Sequence, residues 1–218
     1  YSKDNFSMDL EGDGAFICQN SWGSDFGEDG FFYISYYDTN VGTHNVVYTG
    51  IENTDNYDHI YQSDLCGWVG QLGYNKETIY GANVYTAGSD ENLVAASFYA
   101  TGKDSEYQLY LVKNFENVES LSSMKPVASG KLSNAGYYTI PFEQEMAVEA
   151  GERYAVVLYI STPGAVHPLA VEYKADESTE NVVLDDGEGY VSPNGFEWED
   201  VKNIEDSNIC LKVFSKNQ

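Results

Sequence analysis

The chain has few basic residues and no long apolar run. Its 218 residues include 11 Lys and Arg against 35 Asp and Glu, which gives a formal net charge of −24. This composition excludes nucleic-acid binding, because phosphate contacts need clustered Lys and Arg side chains. No apolar stretch approaches the roughly 20 residues that a membrane-spanning helix needs, so we expect no membrane span.

Cysteine and histidine are also scarce, with three of each. Three cysteines cannot all pair with one another, and no C-x-x-C spacing occurs. Neither a disulfide framework nor a structural zinc site is therefore indicated. No loop has the EF-hand spacing D-x-[DN]-x-[DN]-G followed by a distal Glu.

The chain is rich instead in residues of strands and turns, with 19 Tyr, 10 Phe and 20 Gly. From about residue 57, short apolar runs alternate with turns at a spacing typical of an antiparallel β-sandwich. No long helix stands out, although 114–123 could form one or two turns. All five prolines fall at predicted turns or strand starts. The predicted strands of this part are 78–86, 92–100, 107–113, 137–142, 153–161, 168–174, 189–192 and 208–215.

The most specific motif lies within residues 15–36. An apolar strand, Ala15–Cys18, precedes Asn20-Ser-Trp-Gly23, which is followed by Gly27-Glu-Asp-Gly30 and an aromatic strand, Phe31–Tyr36. Asn, Ser and Gly are common in turns, so the four residues from Asn20 would by themselves indicate only a turn. Together with its flanking strands, the motif resembles the asparagine segment of papain-like cysteine proteases.

The resemblance implies roles for two residues. In this family an Asn accepts the ring N–H of the catalytic His, and a Trp two residues later shields that hydrogen bond. These roles map to Asn20 and Trp22. Gln19 stands where the family usually has Lys and Phe26 where it often has Trp, departures that do not touch this chemistry.

The nucleophile and the base of the Cys-His-Asn triad are missing before the motif. The family order is Cys, His, Asn, but no His precedes Asn20. A rearranged triad is an alternative, because triads are defined by geometry and not by chain order. We expect this chain alone to be inactive, with the Cys and His belonging to an upstream protease segment. That segment was removed by processing, was not included in this sequence, or is supplied by a second chain. The other Cys and His residues are Cys18, Cys66, Cys210, His44, His59 and His167.

The remainder resembles the lectin-like domain that follows the papain-like domain in clostridial surface cysteine proteases. The segments that carry this resemblance are 57–68, 83–87, 96–99, 195–200 and 208–214. We therefore predict a mainly β fold, in which residues 1–50 are the C-terminal strands of a papain-like peptidase domain. Residues 51–218 would form an antiparallel, jelly-roll-like β-sandwich. The resemblance implies a bacterial, extracellular or cell-surface protein with protein substrates, and it associates Ca²⁺ with the sandwich.

The types of residue in the sandwich indicate two kinds of candidate ligand site. Trp68 and Trp198 could form an aromatic platform for a cell-wall glycan. Acidic turns at Asp90–Glu91 and Asp185–Asp186 offer oxygen ligands for calcium. Each has an ordinary alternative, since such Trp residues often pack at strand ends and acidic turns are usually solvated.

Two functions remain open. The leading hypothesis is the C-terminal portion of a papain-like cysteine peptidase with a lectin-like accessory domain. The alternative is a non-catalytic carbohydrate- or wall-binding module on a protease-derived scaffold. A glycosidase is disfavoured, because no carboxylate pair stands out from the acidic background. Residues 1–50 lack partner strands, so we expect them to pack on the sandwich or to pair with a second copy.

Overall fold

The structure is a computed structural model that describes residues 1–42 and 46–218. His44 lies outside these ranges. The chain divides into two compact units, Tyr1–Glu52 and Asn53–Gln218. In the described residues, no helix is both long and apolar enough to cross a membrane.

The first unit is built on a two-stranded antiparallel sheet. A 3₁₀ turn at Lys3–Asn5 precedes strand β1 (Ala15–Gln19), which pairs with strand β2 (Phe31–Ser35). Aromatic side chains pack around this hairpin, and the rings of Tyr1 and Tyr33 stack with centroids 4.2 Å apart. Both strands begin and end within one residue of the sequence prediction.

The second unit contains thirteen strands in three sheets and one short α-helix, α1 (Val201–Glu205). The larger sheet has the order β13-β12-β5-β10-β7-β8, the facing sheet has the order β3-β15-β6-β9, and a small sheet has the order β14-β11-β4. All strand pairs are antiparallel. The strands are β3 (His59–Tyr61), β4 (Gly70–Leu72), β5 (Thr78–Thr86), β6 (Glu91–Ala100), β7 (Ser105–Val112), β8 (Lys125–Leu132), β9 (Gly136–Val148), β10 (Arg153–Ser161), β11 (Leu169–Glu172), β12 (Glu188–Ser192), β13 (Glu199–Asp200), β14 (Asn208–Ile209) and β15 (Leu211–Asn217).

The main core lies between the six-stranded and four-stranded sheets. Strand β10 is central to the larger sheet, and its inward residues Tyr154, Val156 and Leu158 are almost fully buried. They share one apolar cluster with Phe98 of β6 and Val213 of β15, which belong to the facing sheet. This arrangement is the sandwich that the sequence predicts.

A second apolar cluster covers part of the outer face of the six-stranded sheet. Ala82, Ala155 and Val157 point to this side and are fully buried. Phe115 and Leu121, from the segment that connects β7 to β8, pack against them. The same connection contains a 3₁₀ helix, Val118–Ser123, where the sequence predicts one or two helical turns.

Four strands and one proline differ from the sequence prediction. Strands β3, β4, β8 and β13 are not predicted, since β3 and β4 have three residues each, β13 has two, and β8 begins with Lys125 and Pro126. Pro141 lies inside β9, not at a turn or strand start as expected. It is tolerated there because β9 is an edge strand and because its pairing with β6 is irregular between Leu93 and Ala95.

Candidate functional site

Asn20 is held in one orientation by its own turn. It follows β1, and its backbone N–H donates to the Gly30 carbonyl at 2.9 Å. Its side-chain Nδ2 donates to the Phe26 carbonyl at 3.3 Å, and its Oδ1 accepts from the Trp22 N–H at 2.7 Å. An amide oxygen has two lone pairs, so Oδ1 retains capacity for one further donor.

The turn after Asn20 depends on Gly27. This residue has φ +68°, and a Cβ there would lie 2.1 Å from the Phe31 carbonyl oxygen. Glu28 and Phe31 exchange backbone hydrogen bonds of 2.8 and 3.0 Å just beyond it. Only glycine allows so close an approach, so the Gly in the motif has a direct structural reason.

Trp22 lies beside Asn20 and is largely exposed, with 77% of its surface accessible in the described residues. Its indole meets the Phe26 ring edge-to-face at 5.0 Å, and Phe26 meets Phe32 of β2 at 5.8 Å. Phe26 stands where the family often has Trp, and its ring still supports the Trp22 indole. Shielding of an Asn–His hydrogen bond by this indole stays a prediction.

The described cysteines and histidines do not form a second triad. Cys210 is buried in the sandwich, and its burial, with the nearby Asp64 carboxylate, raises the pKa of the thiol well above its usual range. A thiol that resists ionisation is a poor nucleophile. His59 Nε2 lies 2.9 Å from Asn217 Oδ1 and 3.5 Å from Ser89 Oγ. No hydrogen bond of the described residues joins a His ring to a thiol.

A cluster of oxygen atoms surrounds the side-chain nitrogen of Asn208 in the sandwich. Asn208 Nδ2 lies 2.7 Å from Ser63 O, 3.2 Å from Glu172 Oε1, 3.0 Å from Val183 O and 3.4 Å from Asp186 Oδ1. We call these four oxygens the oxygen cluster. An NH₂ group has only two hydrogens, so it cannot satisfy all four acceptors at once.

Glu172 brings a buried charge to the oxygen cluster. The residue is 1% exposed, and no salt bridge among the described residues includes it. Its Oε2 accepts the backbone N–H groups of Cys66 and Gly67. It is placed by the pairing of β11 with β14, in which Glu172 lies opposite Asn208. A buried carboxylate without a cationic partner is costly unless a cation compensates its charge.

The oxygen cluster offers hard oxygen donors. Its two carboxylates and two backbone carbonyls are the kind of ligand that Ca²⁺ prefers, whereas Asn208 presents its NH₂ group to them and not an oxygen. A cavity of about 290 Å³ adjoins the cluster and is lined in part by Ser63, Cys66, Glu172, Val183 and Asp186. Within the described ranges, no three His, Cys, Asp or Glu side chains are grouped as metal ligands. A calcium ion here would therefore depend on backbone carbonyl oxygens as well as on carboxylates.

A buried ion pair flanks the same loop. Lys212 Nζ lies 2.7 Å from Asp64 Oδ1, and the Asp64 side chain is fully buried. Burial raises the pKa of the Asp64 carboxyl, and the Lys212 ammonium opposes this shift. The ion pair fixes Asp64, which follows Ser63 in the chain. It therefore helps to position the Ser63 carbonyl of the oxygen cluster.

The four acidic residues predicted as calcium ligands lie in two places. Asp90 accepts the Ala150 N–H at 2.9 Å, and the fully buried Glu91 accepts hydrogen bonds from Tyr61 and Ser215. Asp185 pairs with Lys202, and Asp186 belongs to the oxygen cluster. Calcium binding by this set stays a prediction, and the structure brings only Asp186 to the cluster.

The two predicted sugar-binding tryptophans lie on different parts of the sandwich. Trp68 is near Tyr99 at 5.7 Å, and Tyr99 is near Tyr137 at 4.9 Å, on the four-stranded sheet. Trp198 meets Tyr80 edge-to-face at 6.2 Å, on the outer side of the six-stranded sheet. Sugar binding by either tryptophan stays a prediction.

Three residues of the oxygen cluster were not predicted from the sequence, namely Ser63, Glu172 and Val183. Ser63 and Val183 contribute backbone carbonyls, which have no residue signature. Glu172 had one available signal, because a Glu in the apolar run Leu169–Glu172 is a charge on a strand where apolar residues are expected.

Comparisons with known proteins agree with this fold. The sequence model of the lectin-like domain family matches residues 60–215. No curated protein sequence matches the chain.

Two solved structures cover the entire chain. One is the clostridial cysteine protease Cwp84 after propeptide cleavage, with a TM-score of 0.82 and 25% identity over 55% of that chain. The other comprises the cysteine protease and lectin-like domains of Cwp84, a surface layer associated protein of Clostridium difficile. Its TM-score is 0.76, with 25% identity over 50% of that chain. The present chain thus spans about half the length of these proteins. By its match over residues 60–215, the chain belongs to the lectin-like domain family.

Proposed function

We propose that this chain is the C-terminal part of a cell-surface cysteine peptidase of the Cwp84 type. Asn20 is its contribution to the catalytic centre, and the lectin-like sandwich is its accessory domain. The observation that carries the proposal is the pair of hydrogen bonds that holds the Asn20 amide and leaves its oxygen capacity for one further donor. Support also comes from the likeness of the whole chain to a cysteine protease joined to a lectin-like domain.

In this proposal the reaction is peptide-bond hydrolysis through a thioester. A Cys and a His outside this chain form the thiolate and imidazolium pair, and the thiolate attacks the substrate carbonyl. The imidazolium then gives its proton to the leaving amine, and water later hydrolyses the thioester. Asn20 acts as a positioning residue by accepting the imidazole N–H, and Trp22 limits the access of water to that bond.

Activity of the enzyme with its upstream segment tests these roles. Asn20→Ala should lower kcat by roughly tenfold or more and alter the pH profile of kcat/KM, because the imidazole loses its orienting partner. Trp22→Phe keeps an aromatic ring and should have a smaller effect. Equal activity of Asn20→Ala and the parent enzyme would contradict the assigned role.

A specific observation favours the alternative, a non-catalytic binding module. The described Cys and His residues form no nucleophile–base pair, and the Cys210 thiol is buried. A natural gene product without a Cys and a His before Tyr1 would support this alternative. It would leave Asn20 as a purely structural turn residue.

We also infer that the oxygen cluster binds Ca²⁺ through Glu172, Asp186 and the carbonyls of Ser63 and Val183. When bound, the ion would compensate the two carboxylate charges and join β11 to the loops at Ser63 and Val183. Calcium is then a structural ion of the sandwich and takes no part in peptide hydrolysis.

A further inference from the structure

The first unit ends in an exposed apolar segment. Residues 46–51 read Val-Val-Tyr-Thr-Gly-Ile and include neither a charged residue nor a proline. We call residues 46–53 the linker segment, because the boundary between the two units lies between Glu52 and Asn53. We propose that the linker segment is a proteolytic processing site for an endopeptidase whose specificity pocket takes an aromatic or aliphatic side chain.

The apolar side chains of the linker segment lie in solvent. Val46, Val47, Tyr48 and Ile51 are between 77% and 94% exposed. Boundaries between folded units are commonly polar or rich in Gly and Pro, because apolar side chains in water carry a free-energy cost. A run of four such side chains therefore points to a partner that covers them, and a peptidase pocket is a partner that takes one side chain at a time.

The backbone of the linker segment is also accessible. Residues 46–53 lie in no helix, strand or turn. Among the described residues, no hydrogen bond, ion pair or ring contact involves any of residues 46–51. Extended peptides are bound through their backbone N–H and C=O groups, and these groups are available here. Cleavage therefore requires no local unfolding, which normally limits proteolysis of a folded chain.

Other exposed aromatic residues differ from Tyr48 in their backbone bonds. Phe196 and Tyr48 are equally exposed, at 85%, but the Phe196 N–H donates to Asn194 Oδ1 at 2.9 Å. Tyr37 is also exposed, and its N–H donates to Ser35 Oγ at 3.1 Å. Exposure alone thus does not distinguish Tyr48, whereas exposure together with an unpaired backbone does.

The sandwich is anchored beyond the linker segment. The Tyr57 ring packs on Phe214 of β15 with centroids 4.6 Å apart, and the Asp58 N–H donates to the Ser215 carbonyl at 2.9 Å. The first strand of the sandwich, β3, begins only after these residues. A cut within the linker segment removes no strand and no core residue of the sandwich, so the released part should keep its fold.

The chemistry is the hydrolysis of one peptide bond. Water adds to the carbonyl carbon, the C–N bond breaks, and the products carry a new carboxylate and a new ammonium group. After a cut at Tyr48, residues 1–48 contain Asn20, and residues 49–218 contain the sandwich. Processing would thus separate the peptidase part from its accessory domain, a consequence that rests on the function proposed above.

Limited proteolysis of the 218-residue chain tests the proposal. Chymotrypsin, whose pocket is a hydrophobic slot, should cut first after Tyr48, and intact masses should identify fragments 1–48 and 49–218. Tyr48→Ala should slow this cut about tenfold or more, because the pocket loses its aromatic side chain. Phe196→Ala is the matched control and should leave the rate unchanged, since this ring is equally exposed but lies in a hydrogen-bonded loop.

The larger fragment provides a second measurement. Differential scanning calorimetry should show that fragment 49–218 unfolds cooperatively, at the same Tm as the sandwich in the intact chain. Loss of that transition would mean that the sandwich depends on the residues before the cut, and it would contradict a processing site.

Three other results would overturn the proposal. These are a first cut elsewhere, for example at Phe196, and equal rates for Tyr48→Ala and the parent chain. The third is resistance of the enzyme with its upstream segment while the 218-residue chain is cut, which would identify the linker segment as a contact of the upstream part. None of these outcomes affects the assignment of Asn20, because that assignment depends on the peptidase activity of Asn20→Ala.

Discussion

The Trp22 backbone N–H donates a 2.7 Å hydrogen bond to Asn20 Oδ1. The residue proposed to shield the catalytic hydrogen bond thus also fixes the atom that would accept it. With the bond from Asn20 Nδ2 to the Phe26 carbonyl, this contact leaves the amide one orientation. A triad needs such a fixed acceptor, because the imidazole must be held in one tautomer.

Calcium should stabilise the sandwich through the oxygen cluster. At a concentration 100 times Kd, a ligand specific for the folded state adds about 2.7 kcal/mol, which is roughly 5–10 °C in Tm for a domain of this size. Mg²⁺ should give a smaller shift, because it requires stricter octahedral geometry. Differential scanning calorimetry with each ion measures the effect.

Single-residue variants identify the calcium ligands. Glu172→Gln and Asp186→Asn should abolish most of the calcium shift, while Asp90→Asn should retain it. The reverse result, in which Asp90→Asn loses the shift and Asp186→Asn keeps it, would transfer the site to the turn at Asp90 and Glu91.

Removal of Lys212 should be strongly destabilising. Lys212→Met leaves the fully buried Asp64 carboxylate without its partner, at a cost of about 3–5 kcal/mol. Urea unfolding should show this loss, and the double variant Asp64→Leu/Lys212→Met should recover much of it. Lys216→Met, an exposed lysine on the same strand, is the control and should change stability little. A loss below 1 kcal/mol in Lys212→Met would mean that water reaches Asp64.

Tyr61 should contribute to a loss of stability of the sandwich at alkaline pH. Burial and its hydrogen bond to Glu91 raise the pKa of Tyr61 to about 12, from an ordinary value of 10.0. Between these values the folded state keeps a proton that the unfolded state has lost, so stability falls as the pH rises from 10 to 12. In Tyr61→Phe the free energy of unfolding should fall less steeply between pH 10 and 12, because one proton fewer is released on unfolding.

The same substitution should also destabilise the fold at neutral pH. Tyr61 donates to the fully buried Glu91 and accepts the Gly88 N–H at 2.8 Å. Loss of these bonds should cost about 1–3 kcal/mol. Guanidinium unfolding at pH 7 and at pH 11 measures both effects. An unchanged pH dependence in Tyr61→Phe would assign the alkaline loss to other tyrosines.

Local sequence signals predict the regular parts of this structure well. Strands β5 and β10 match their predicted bounds, 78–86 and 153–161, because long apolar runs between turns leave few alternatives. Short strands such as β4 have no such signal, since three residues show no periodicity. The position of Pro141 inside a strand has no local signal, because proline is tolerated there only since β9 is an edge strand, which is a property of the sheet and not of the local sequence.

The candidate sites differ in how far sequence could predict them. The Asn20 turn is contiguous in the chain, so its motif is visible in the sequence. The oxygen cluster combines residues from 63 to 208, and two of its oxygens are backbone carbonyls.

The central claim is that Asn20 belongs to a cysteine peptidase site completed outside this chain. Its most direct test is the intact mass of the native protein after reaction with an epoxide that alkylates papain-type thiolates. The account predicts a labelled species larger than this chain, with the label on a cysteine outside residues 1–218. No labelling, in a native protein with the mass of this chain, would contradict it and leave the binding module.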